Sequence, residues 1–261
     1  MSLLEVRGLR VSYGKRSILQ NVSFEIGEGE LVGVLGANGC GKTTLLKAIC
    51  GILPHAGECR LEGSALEHLS PRRIAALCGY IPQRSGVEID ISVLDAVLMG
   101  FNPQLKLLEY PNEQMKKEAR EALAAVGLGE RAEESYLSLS EGQKQLCLLA
   151  RTLVSRGRLL LLDEPESALD FCYRDRMLSL LRAWVAAEKR GALVALHDPN
   201  LALQYCDRLL LIDGGEAVAA IAPARDDPIA MAAALSVIYG EVSLHRCQDR
   251  TGKAHLVMLK E

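Results

Sequence analysis

The chain has 261 residues, 49% of them apolar and 24% charged, with 30 basic against 33 acidic side chains and a formal net charge of −3. That length supports a sizeable core in one large domain, or in a domain with a subdomain, and the balanced charge lacks the basic bias of a nucleic-acid surface, so no nucleic-acid partner is expected. The opening MSLLEVRGLRVSYG turns charged too early for a signal peptide, no window holds 18 uninterrupted apolar residues, and the eight cysteines form no C-x-x-C pair; the expectation is a cytosolic chain with reduced, packed thiols and neither zinc nor disulfides.

In chain order, the first thirty residues alternate polar and apolar side chains around turns at Tyr13-Gly14 and Gly27-Glu28-Gly29, the pattern of an antiparallel β layer. Leu31 to Leu35 is a continuous apolar run, as in a strand covered on both faces, and a helical pattern over Leu45 to Cys50 follows it after a glycine-rich loop. From about Ser92 to Arg156 the pattern is helical, with segments Ser92 to Met99, Asn112 to Val126 closed by Gly127, and Glu141 to Ser155. In the last of these Leu146, Leu149, Ala150 and Leu153 form one buried stripe. Further apolar strands are expected at Leu159 to Leu162, Leu193 to Leu196 and Leu209 to Ile212, and Asp226 to Glu261 reads as a short helix followed by one or two strands. Strands alternating with helices predict a mainly parallel α/β sheet.

The loop Gly36-Ala-Asn-Gly-Cys-Gly-Lys-Thr-Thr44 satisfies G-x-x-x-x-G-K-S/T between a strand and a helix. Glycines let the backbone curl so that successive N–H groups face one concavity, and the helix start adds its positive end. Gly36, Asn38, Gly39, Cys40, Gly41, Lys42, Thr43 and Thr44 are therefore the expected nucleotide contacts. Lys42 reaches the β- and γ-phosphates and the Thr43 hydroxyl ligates Mg²⁺. At the end of the run Leu159 to Leu162, Asp163 is placed to hold the metal and Glu164 to polarise an attacking water.

With these two motifs the chain resembles the ATP-binding cassette (ABC) ATPases, over roughly residues 3 to 220. Leu139-Ser-Glu-Gly-Gln143 is similar to the family signature LSGGQ, Tyr80-Ile-Pro-Gln83 to its Q-loop, Ser167-Ala-Leu-Asp170 to its D-loop, Leu196-His197-Asp198 to its switch histidine, and Tyr13 to the aromatic on which adenine stacks. The resemblance implies a P-loop NTPase core of mainly parallel sheet with an N-terminal antiparallel β subdomain and an inserted helical subdomain. It implies a homodimer in which each ATP lies between one subunit's phosphate loop and the other's signature, with Ser140, Gly142 and Gln143 facing the phosphates and Asp170 coupling the sites. It makes Glu164 the general base, His197 the γ-phosphate sensor and Gln83 a contact to metal or water. Taken singly, Tyr13 fits a surface turn and His197 a satisfied core residue, and Ser140 with Gln143 also fits a capping box; the joint order and spacing carry the inference.

Two positions depart from the pattern. Glu141 stands where the family has glycine, and its side chain is expected to point away from the nucleotide, leaving activity intact. Cys40 replaces the common serine and is expected to contribute only its backbone N–H, with sensitivity to thiol reagents as the alternative. The segments Ile91 to Gly100, His197 to Asp207 and Val237-Ile-Tyr-Gly240 look like the importers of iron chelates, haem and cobalamin. That subclass implies separate integral membrane permease subunits, received near Gln83 and the segment Ser85 to Gly100. It also implies, indirectly, a substrate-binding protein, and a place on the cytoplasmic face of the cell membrane. The expected layout is an ATPase domain over residues 1–225, with helices inserted at about 86–156, and an extension over 226–261. A cassette ATPase of the iron–sulfur assembly type is the alternative; a GTPase is disfavoured because N-K-x-D is absent.

Overall fold

A computed structural model describes residues 2–83, 86, 88–106, 108–167, 169–187, 189–252 and 254–261. Its elements, in order, are β1 (Ser2–Tyr13), β2 (Arg16–Gly27), β3 (Leu31–Leu35), α1 (Lys42–Ile49), β4 (Ala56–Leu61), β5 (Ser64–Ala65), α2 (Pro71–Leu77), β6 (Cys78–Ile81), α3 (Val93–Leu98), α4 (Glu113–Val126), α5 (Glu141–Val154), β7 (Leu159–Asp163), α6 (Phe171–Ala186), β8 (Gly191–Ala195), α7 (Pro199–Tyr205), β9 (Arg208–Asp213), β10 (Glu216–Ile221), α8 (Pro228–Tyr239), β11 (Val242–Gln248) and β12 (Ala254–Lys260).

The central sheet has the order β10-β9-β3-β8-β7-β6, with only β10 antiparallel to its neighbour. A second, antiparallel sheet in the order β2-β1-β4-β5 comes from the alternating N-terminal segment, and β11 and β12 form a hairpin. The four apolar runs are central-sheet strands with both faces covered. Leu31 and Leu35 of β3 pack in the core on the side of the helices, whereas Val32 and Val34 pack in the core facing the antiparallel sheet and α1. In β7, Leu160 and Leu162 split from Leu159 and Leu161 in the same way, which is why period-2 alternation is missing from these runs.

Helices α3 to α5 lie in sequence between β6 and β7. Their ends are specified locally: Ser92 caps α3 through the Asp95 N–H, Asn112 caps α4 through the Met115 N–H, and Gly127 closes α4 at φ 83°, a left-handed conformation that glycine adopts without strain. Three helices open with a capping residue followed by proline: Ser70-Pro71, Asp198-Pro199 and Asp227-Pro228. The structure also corrects boundaries and adds elements. The strand expected to end at Leu196 runs from Gly191 to Ala195, that at Leu209 to Ile212 extends to Arg208 and Asp213, and α1 begins at Lys42 rather than Leu45. Among the described residues no helix is long and apolar enough to cross a membrane. Ser85, Val87 and Leu107 of the helical segment and Ala168 of the D-loop lie outside the described residues.

Candidate active site

The loops that follow β3, β6, β7 and β8 leave the same edge of the sheet, the carboxyl ends of its parallel strands. The loop after β3 depends on its glycines. A Cβ on Gly36 would stand 2.3 Å from the Ile212 carbonyl oxygen and 2.5 Å from Cys40 Sγ, and Gly39 and Gly41 adopt φ of 79° and 112°. Gly41 leads directly into α1, so the start of that helix faces the concavity. Ala37, Asn38 and Gly39 are exposed at the crest, while Lys42 and Thr44 are buried.

Lys42 Nζ donates to the Gly36 carbonyl at 2.9 Å and lies 3.6 Å from Glu164 Oε1. The Thr43 hydroxyl donates to Asp163 Oδ1 at 2.9 Å, and the Tyr80 hydroxyl donates to Asp163 Oδ2 at 3.3 Å. Burial, followed by the neighbouring Glu164, pushes the Asp163 carboxyl above its ordinary range, against the hydrogen bonds from Thr43 and Tyr80. Glu164 turns out of β7 at a left-handed φ of 49°. Its Oε2 accepts from Gln83 Nε2 at 2.7 Å and lies 2.6 Å from His197 Nε2. Five expected residues, Lys42, Gln83, Asp163, Glu164 and His197, with Thr43 beside them, therefore meet in one cluster built from four strand ends.

The other expected contacts are placed elsewhere. Ser140 and Gln143 form the capping box of α5: the Ser140 hydroxyl accepts the Gln143 N–H, and the Ser140 N–H donates to Gln143 Oε1 at 3.0 Å. Gly142 lies in the first turn of that helix, Asp170 caps α6 by accepting the Tyr173 N–H at 3.0 Å, and Tyr13 is half exposed at the end of β1. Glu141 is exposed and paired with Lys144 at 2.8 Å. Cys40 is buried beneath the loop, and desolvation raises its thiol pKa, which disfavours the thiolate that thiol reagents attack.

Three further side chains shape this site without a local sequence pattern that marks them. In sequence Tyr80 stands only as the first residue of the Q-loop motif. Gln145 is almost fully buried on α5 and donates from Nε2 to the Gln83 carbonyl at 2.5 Å; a polar residue on an apolar helix face was the signal for it. Glu166, also almost fully buried, accepts the His197 N–H on Oε1 at 2.8 Å, and burial pushes its carboxyl up. In sequence it is one more acid in an acidic turn.

A family model described as ABC transporter matches residues 19–167. The hemin import ATP-binding protein of Pseudomonas entomophila is 38% identical over 245 residues, which cover 91% of this chain and 92% of that protein. A "Probable iron chelatin transport ATP-binding protein" of Helicobacter pylori is 40% identical over 170 residues, 64% of this chain and 67% of that protein. A solved structure of an inward-facing transporter of the metal-chelate type superposes with a TM-score of 0.83 at 28% identity, covering 100% of this chain and 99% of that one. With more than half of its length inside the family model and nearly all of it shared with the hemin import ATP-binding protein, the chain belongs to the ABC transporter family as an ATP-binding cassette.

Proposed function

We propose that this cassette binds and hydrolyses Mg²⁺-ATP to drive import of an iron chelate, haem or cobalamin through a separate membrane permease. The observation that carries the hydrolytic part is Glu164, a carboxylate held at a left-handed φ beside the phosphate loop and contacted by Gln83, His197 and Lys42. The import part rests on likeness over nearly the whole chain to a hemin import subunit and to a metal-chelate type transporter. That breadth favours transport over the cytosolic iron–sulfur assembly role.

The residues fit a magnesium nucleotide. Asp163 and Thr43 bring two hard oxygen ligands within 2.9 Å of each other at the mouth of the loop. Bound Mg²⁺ supplies charge that neutralises the phosphate oxygens. Lys42, released from the Gly36 carbonyl, supplies the second cation, and the loop N–H groups supply the cradle. Glu164 orients and deprotonates the water for in-line attack, His197 holds Glu164 and senses the γ-phosphate, and Gln83 reports the state of the site. In this reading a second copy closes over the nucleotide with Ser140, Gly142 and Gln143, and Asp170 couples the two sites. The permease docks near Gln83, receives substrate from an external binding protein, and keeps the cassette on the cytoplasmic face of the membrane.

Glu164→Gln tests the chemistry. It is expected to keep ATP binding and to lower steady-state hydrolysis by about 10²-fold or more, since it removes the base and not the cradle. Unchanged turnover would defeat the assignment. Affinity capture from detergent-solubilised membranes tests the coupling: a polytopic permease is the expected partner, and a soluble scaffold in its place would favour the assembly role.

A further inference from the structure

β7 and β8 pair in parallel as far as Asp163 opposite Ala195, and one more ladder bond follows, from the Glu164 N–H to the Ala195 carbonyl at 3.1 Å. There the two chains part. Glu164 swings into the left-handed region and its carbonyl accepts the Ser167 N–H at 3.1 Å, so β7 offers no further acceptor to its neighbour. On the β8 side, the Leu196 N–H goes to the Val34 carbonyl of β3 at 3.1 Å, and the next N–H, that of His197, points the opposite way, toward the strand that has just left. Glu166 Oε1 fills that gap at 2.8 Å.

The way Glu166 is held marks the contact as more than a surface turn. The residue is 2% exposed, and its second oxygen, Oε2, is buried without a hydrogen-bond partner among the described residues. Burying a carboxyl in this way is unfavourable, and here it accompanies one result, a fixed His197 backbone. The His197 ring in turn lies 2.6 Å from Glu164 Oε2. One short loop thus grips the histidine twice, at the ring through Glu164 and at the main chain through Glu166.

We propose that Glu166 is a positioning residue for hydrolysis: its side-chain oxygen stands in for the departed strand, fixes the main chain of His197, and so sets the reach of the histidine ring to Glu164. This rests on the ATPase reading above. Three variants test it: Glu166→Gln keeps an acceptor of the same reach, Glu166→Leu fills the site with none, and Glu164→Gln is the control for the chemistry. Each is assayed for kcat and KM of ATP and for amide hydrogen exchange at His197. Glu166→Leu is expected to lower kcat about tenfold with KM within about twofold, as for a misplaced catalytic group, and to speed exchange at His197. Glu166→Gln is expected to stay near wild type in both. Wild-type kcat and protection in Glu166→Leu, a loss explained wholly by KM, or a Glu166→Gln as impaired as Glu166→Leu would each overturn the proposal. Should Glu166→Leu not fold, Glu166→Thr, whose hydroxyl is too short to reach the amide, is read in the same way. If Glu164→Gln leaves turnover intact the ATPase reading fails, while exchange at His197 still reports on the Glu166 contact.

Discussion

Glu164 holds a backbone conformation that costs a non-glycine residue of order 1–3 kcal/mol, and three partners surround its carboxylate. Its neighbour two residues on stores a different penalty. The folded-state pKa of Glu166 lies above its ordinary value of 4.5, so the stability it contributes is complete below that pH and is lost as pH rises through the folded value. Glu166→Gln mimics the neutral acid at every pH. The melting temperature of that variant relative to wild type is therefore expected to climb as melts are run from pH 4.5 upward; a difference that stays flat would place the carboxyl in the ordinary range. At Gly36 the constraint is steric. Gly36→Ala would set a methyl 2.3 Å from the Ile212 carbonyl, and the expected cost is about 1–3 kcal/mol, together with weakened ATP binding, read by thermal melts with and without nucleotide. Lys42, Thr43 and Asp163 were legible in the sequence because their chemistry is tied to a fixed spacing after a strand. Tyr80, Gln145 and Glu166 were not, because each acts by reaching a neighbour distant in sequence, and no local pattern encodes that reach.

Among the elements, α5 shows how one segment can serve structure at both its start and its side. Its capping box consumes Ser140 and Gln143, its stripe buries Leu146, Leu149 and Ala150, and Gln145 ties it to the Gln83 loop. Glu141 sits in the first turn, favourable for the helix dipole, and its carboxylate is paired with Lys144. Glu141→Gly is accordingly expected to change ATP turnover by less than about tenfold and to cost roughly 0.5–1 kcal/mol of stability from the added glycine, as judged by steady-state ATPase assays and urea melts. A larger rise in turnover would mean that the carboxylate opposes the nucleotide. Elements buried on both faces or closed by clear caps were legible in the sequence, as β3, β7, α4 and α5 show. β6 was hidden because four residues that include Gly79 carry too short a pattern, and β10 because its alanine-rich run, Glu216–Ile221, has little β propensity and lies at the sheet edge.

At the scale of the whole molecule, the extension after Asp226 was legible as a helix followed by strands, which α8, β11 and β12 are, but not in where it packs: the structure builds it into the main core. Met231, Leu235 and Val242 are buried in the cluster that contains Leu196 and Ala202. The side-chain amide of Asn200 on α7 accepts the Met258 N–H at 2.6 Å and donates to the Met258 carbonyl at 3.4 Å, a two-way clasp on the hairpin. Leu235→Ala should therefore cost about 2–5 kcal/mol and lower the urea midpoint of the whole chain in a single transition; a separate early transition would show the extension to be an independent appendage. The sheet order has a mechanical corollary. β3 and β7 flank β8, so the main chains of the two strands that carry the phosphate loop and Glu164 stand two strand spacings apart, roughly 10 Å, a span set by main-chain ladders. Gln83 hangs instead from the edge strand β6 and is tethered to α5. Gln83 is therefore anchored at the sheet's margin and to a helix, whereas the span from cradle to base is fixed at the sheet's centre, so the two are held by separate parts of the fold.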